Sequence, residues 1–174
     1  MIDAWQMLAR VRGLEVIAHV ASPLDVRLAG ALGGVALDVH AREVAVGAAA
    51  SMVHSSVVGR AASTSTGFVR VTSATELSAL AAHLGFERRI TGDRDFDARF
   101  FVEGVSDPSV RAMLPPPVRA RLLAFAHEGP FEHEHAGATV SVRWEAATPD
   151  PARVEAAMAL VVAICAAPPA RDVG

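Results

Sequence analysis

The chain has 174 residues, 52% of them apolar, and 35 of those apolar residues are alanine, so the larger side chains must build the core. Sixteen basic residues, all arginine, stand against 19 carboxylates for a net charge of -3, which excludes a basic nucleic-acid footprint and a disordered acidic chain. Lysine, asparagine and tyrosine are absent, so no lysine Schiff base, P-loop lysine or tyrosine acid can operate.

In chain order, Ile2 to Arg12 carries Ala4, Met7, Leu8 and Val11 at one-face helical spacing, with Gly13 placed to cap it. Period-two segments follow at Leu14 to Val20, Val26 to Leu32 and Val35 to Ala41, the last two joined by a Gly33-Gly34 hairpin. Ala45 to Gly67 is rich in small residues, and only Met52 to Val58 reads as a strand there. Phe68 to Thr72 predicts a strand, and Ser73-Ala-Thr-Glu76 predicts a capping box opening a helix to Gly85. Phe86 to Thr91 reads as extended, Gly92-Asp93 as a turn and Arg99 to Glu103 as a strand. Asp107-Pro108 opens a short helix to Met113, and after Pro115-Pro116-Pro117 a second runs to about His127. Phe131 to His135 and Ala138 to Glu145 form a hairpin around Ala136-Gly137. Asp150-Pro151 opens a final apolar helix, Ala152 to Ala166.

Strands that follow one another as neighbours imply an α+β fold, with antiparallel sheet, packed helices and an apolar C-terminal helix. The chain reads as a single domain over 1–174, with two packed halves, 1–67 and 68–167, and a tail at 168–174. The longest apolar run, Ala156 to Ala167, is twelve residues against the roughly 20 needed to span a bilayer, so no transmembrane segment is expected. A lone cysteine, Cys165, and an acid at position 3 point to the cytoplasm and away from a signal peptide.

The stretch Thr91-Gly-Asp-Arg-Asp-Phe-Asp-Ala-Arg-Phe-Phe-Val, with Asp107-Pro-Ser-Val-Arg-Ala-Met-Leu and Val118-Arg-Ala-Arg-Leu-Leu after it, resembles an uncharacterised bacterial family. That family carries a Gly-Asp-x-x-Phe-Asp-x-x-Phe-x-Val motif, followed by the same two helices, a hairpin and an apolar terminal helix. The resemblance covers roughly Thr91 to Ala167 and implies an architecture without an assigned activity. Many of those relatives carry transmembrane helices, from which this sequence departs.

The densest polar cluster is His127-Glu128-Gly-Pro-Phe-Glu132-His133-Glu134-His135. On a strand, His133 and His135 share one face, a spacing suited to a zinc or nickel ion completed by His127 or a glutamate. The plainer reading is a solvated hairpin whose charges blunt edge pairing. Asp93, Asp95 and Asp97 alternate like the start of a calcium loop, but Ala98 and Gly104 occupy its glycine and glutamate places, so the motif reads as a turn anchored by Phe96 and Phe100. Asp97 is placed to cap a helical turn or to pair with Arg94 or Arg99. Asp38, His40 and Arg42 share a strand face and could support general-base chemistry. Ser51, Ser55 and Ser56 show no nucleophile elbow, which favours a solvent-facing strand.

These observations favour a non-catalytic module for protein interaction or small-ligand binding, with a homodimer or protein partner and no resident cofactor. The alternatives are a metal-dependent enzyme using His127, His133 and His135, and a membrane-surface accessory whose first helix presents Trp5 and Met7.

Overall fold

Asp3 starts the first helix, its carboxylate accepting from the amides of Trp5 and Gln6 at 3.0 and 2.9 Å, and Gly13 ends it in the left-handed region. This helix is α1, Ala4–Arg12. The computed structural model of the protein describes residues 3–47, 50–61, 64–74 and 87–167. Eight strands follow from it: β1 Glu15–Ala21, β2 Leu24–Leu32, β3 Val35–Val46, β4 Ala50–Arg60, β5 Phe68–Ser73, β6 Phe100–Gly104, β7 Glu132–Ala136 and β8 Thr139–Ala146. The remaining helices among the described residues are α2 Arg94–Arg99, α3 Asp107–Met113, α4 Pro116–Phe125 and α5 Pro151–Cys165, with a 3₁₀ turn at Ala126–Glu128.

The strands form one antiparallel sheet in the order β1-β2-β3-β4-β8-β7-β5-β6. The α+β class is thereby established. The sheet crosses from the first half of the chain to the second at the β4–β8 pair, where Val57 lies opposite Val142. Alternation sorts the side chains: Leu28, Val39, Val57, Val142 and Val71 line one face and join a buried cluster with residues of α1, α3, α4 and α5. The apolar helix α5 lies against β4 so closely that a Cβ at Gly59 would come 2.4 Å from Val161 Cγ1, so only glycine fits there. Arg12 on α1 pairs with Glu155 on α5.

The sheet's two edges differ. The outward carbonyls of β6 are all occupied: Phe100 accepts from Arg88 Nη2 at 3.0 Å, Val102 from the Arg89 amide at 2.8 Å and Gly104 from Arg89 Nε at 3.1 Å. Among the described residues, β1 makes no backbone bond outside its pairing with β2. A bulge at Ile17 interrupts that pairing.

Several expectations shift. β3 and β4 are longer than the sequence suggests: Gly59 and Arg60 are held between β3 and β8, and past Arg42 and ahead of Val53 the two strands extend by pairing with each other. Residues 87–91 form no strand and instead run along the β6 edge. The segment after Gly92-Asp93 is a short helix, with the Asp93 carboxylate accepting from the Phe96 amide at 3.2 Å. The helix expected from Ser73 to Gly85 lies outside the described residues from position 75 onward.

Candidate functional site

The expected histidine cluster divides. His127 is exposed in the 3₁₀ turn, while His133 and His135 stand opposite Val142 and Val140 on β8 and opposite Val71 and Val69 on β5, which places both on the inner face. His133 is fully buried. Its Nδ1 donates to the Ser141 carbonyl at 3.1 Å, and its Nε2 has no partner among the described residues. Burial, reinforced by His135, pushes its pKa down to about 4, and burial also lowers that of His135. Among the described residues no three His, Cys, Asp or Glu side chains gather closely enough to hold a metal ion.

The aspartate motif is architectural. Asp97 accepts from the Gly92 amide at 3.1 Å as well as from Thr91, and so tightens the turn ahead of its helix. It neither caps α2 nor pairs with Arg94 or Arg99. Asp93 takes Nε of Arg119 on α4 at 3.2 Å, and Phe96 stacks on Phe100 with centroids 4.6 Å apart. The Phe96 amide, Arg119 and the turn together hold the Asp93 carboxyl below its usual range.

The opposite face of the sheet is polar and ordered in rows. One row runs Arg27, His40, Ser56, Arg143, Glu132 and Thr72 across six strands. A second runs Asp38, Val58, Ser141, Glu134, Arg70 and Glu103. Charges pair between and within rows: Arg27 with Asp38 at 2.7 Å, His40 with Asp25 at 3.0 Å, Arg70 with Glu134 at 2.9 Å and Arg143 with Glu132 at 3.3 Å. Carboxylates beside Arg70 and Arg27 raise both guanidinium pKa values.

A basin of about 710 Å³ opens on this face, bordered by His40, Arg42, Val44, His54, Glu132 and Arg143 among others. Of its charged residues, Arg42 alone has no oppositely charged group within ion-pair distance among the described residues; Asp25, opposite it in register, bonds His40 instead. The loop closing one side, Gly129 to Phe131, is clamped by the buried Arg153. Its Nη2 donates to the Pro130 carbonyl at 2.9 Å, while the guanidinium carbon lies 5.2 Å from the Trp144 ring centroid and 5.5 Å from that of Phe125. Burial lowers the Arg153 pKa.

Sequence reasoning placed Asp38, His40 and Arg42 on one face, and they share it. It missed that Ser56 lies directly opposite His40, whose Nε2 bonds Asp25. Only strand register reveals this alignment. The serine makes no hydrogen bond to the imidazole, and the His40 and Asp25 side chains are 41% and 46% exposed, without the burial that fixes a triad's acid and base. Of the two residues expected to face a membrane from α1, Trp5 is in the core and Met7 is half exposed.

The chain matches no protein-family model, and no curated protein matches it significantly. One solved structure shares its fold. It is the crystal structure of the mycobacterial trehalose monomycolate transport factor A, TtfA, aligned with a TM-score of 0.57 and 11% identity over 97% of this chain and 96% of that one. At that identity the likeness is one of fold alone. No helix among the described residues is long and apolar enough to cross a membrane.

Proposed function

We propose that this protein is a non-catalytic module that binds an amphipathic anion in the basin on the uncovered face of its sheet. The observation that carries this reading is Arg42, a cation in the basin with no carboxylate paired to it among the described residues, on a face where neighbouring charges are paired. The basin's volume falls within the range of small-ligand sites, on the order of 300–1,000 Å³. An acidic headgroup bonded by Arg42 leaves a short apolar portion to lie on Val44 and Pro130 at the rim. The fold shared with a transport factor is in keeping with a binding role rather than a reaction.

The test is thermal unfolding with dodecyl phosphate below its micelle concentration, inorganic phosphate and dodecyl maltoside. Dodecyl phosphate at a hundred times its Kd should stabilise the protein by about 3 kcal/mol and raise Tm by several degrees, inorganic phosphate should do so less, and the uncharged maltoside should not. Arg42→Glu should abolish the shift. An equal shift in that variant, or no shift with either phosphate, would overturn the proposal.

A further inference from the structure

The β3–β4 hairpin outruns the sheet that carries it. β2 accompanies β3 only as far as Arg42, and β8 accompanies β4 only from Val53, yet the two strands continue to pair out to Val46 and Ala50. The hairpin beyond those points is a two-stranded arm with no third strand beside it among the described residues. The Leu24 amide donates to Glu43 at 3.2 Å and Ser51 also bonds Glu43, so the arm is fastened at its base.

Its sequence from Val44 to Met52, Val-Ala-Val-Gly-Ala-Ala-Ala-Ser-Met, holds no charged residue. Strand alternation puts Val44, Val46, Ala50 and Met52 on the same side as Arg42 and the basin, while Glu43 and Ser51 take the other side. Val44 and Val46 are 38% and 47% exposed. A ribbon of two strands is marginal in water by itself, and one that shows β-branched apolar side chains to solvent has a further cost that a partner would remove.

We infer that the arm seats the protein on an anionic lipid surface, with Val44 and Val46 entering the interface and Arg42 meeting the headgroups. Three features favour lipid over a protein groove. The side chains on this face of the arm are Val44, Val46, Ala50 and Met52, with no aromatic or arginine anchor among them to fill a partner's pocket. The apolar tip gives way to a cation at the base along the same face, the order an interfacial element needs as it passes from acyl chains to headgroups. Arg42 has no carboxylate competing for it among the described residues. The role of Arg42 rests on the anion-binding reading above; the role of the apolar tip does not.

The experiment is co-sedimentation of the full chain with phosphatidylcholine vesicles and with vesicles containing roughly one-third phosphatidylglycerol. The wild type should pellet with the anionic vesicles and much less with the neutral ones. Val46→Asp should lower the partition coefficient at least about five-fold, since it replaces an inserting apolar side chain by a charge. Val46→Ser, which keeps the arm uncharged, should lower it less, and Val11→Asp, on the exposed side of α1, should leave it unchanged. Arg42→Glu should remove the preference for phosphatidylglycerol. Absence of wild-type binding to the anionic vesicles would overturn the inference, as would an equal loss in Val11→Asp. So would a dimer seen by light scattering that Val46→Asp dissolves while vesicle binding stays absent, because the arm would then serve a second copy of the chain. The thermal shift with dodecyl phosphate in Val46→Asp separates the two proposals: if it persists while vesicle binding is lost, the basin and the arm act as described. If the shift is absent in every variant and in the wild type while Val46 still governs vesicle binding, the basin reading fails and the arm stands.

Discussion

Asp97 holds Thr91 twice, accepting from its amide at 3.1 Å and from its hydroxyl at 2.8 Å. Thr91 is nearly buried, so neither of its donors can turn to bulk water if the carboxylate is removed. Asp97→Ala should therefore destabilise the fold by about 2 kcal/mol, in the range for hydrogen bonds to a charged acceptor, with Asp97→Asn recovering part of the loss. Urea midpoints at constant m-value check this.

The inner-face histidines make stability fall in mild acid. His133 is folded with a pKa of about 4 against an ordinary value of 6.5, so the unfolded chain takes up the proton first. Stability from this residue is complete above about pH 6.5 and is lost as pH falls from there toward 4, by about 3 kcal/mol in all. His135 is shifted in the same direction. Replacing His133 with Leu should flatten the pH dependence measured by urea unfolding at pH 7.5 and 5, at the cost of the bond to the Ser141 carbonyl.

Arg153 should be needed for its shape as well as its charge. The side chain lies near two aromatic rings while bonding the Pro130 carbonyl, a combination that a lysine cannot reproduce. Arg153→Ala should cost about 2–3 kcal/mol, with loss of packing as the larger part. Arg153→Lys should fall between the two. Since Pro130 borders the basin, both variants should also weaken the dodecyl phosphate shift, which a merely distant destabilisation would not do.

Cys165 should be inert in the native state. Burial raises its thiol pKa to about 11, so almost no thiolate exists at pH 8. Iodoacetamide labelling at that pH should be negligible in buffer and complete in denaturant, with mass spectrometry as the readout.

How far the sequence reaches can be judged residue by residue. Turn and cap chemistry is local, so Gly33-Gly34, Ala136-Gly137 and Asp150-Pro151 stand where the pattern puts them. β4 is the counterexample: His54, Ser55, Ser56 and Gly59 are poor strand formers, and their extended state comes from β3 on one side and β8 on the other, while Ser51 pairs with β3 alone. Alternation shows that His133 and His135 share a face but cannot say that the face is the inner one, because that depends on which strands flank β7. The same limit hides the site. Arg42 becomes distinctive only when its neighbours are seen to be paired, and Ser56 meets His40 only through the register of the β3–β4 hairpin.

The unequal edges of the sheet set a limit on growth. Arg88 and Arg89 occupy the outward carbonyls of β6, which leaves β1 and the short flanks of the β3–β4 arm as the open backbone among the described residues. On β1 the bulge at Ile17 breaks the regular spacing that a partner strand would have to match. A strand added there would have to bend with it, which disfavours repeated in-register stacking of copies.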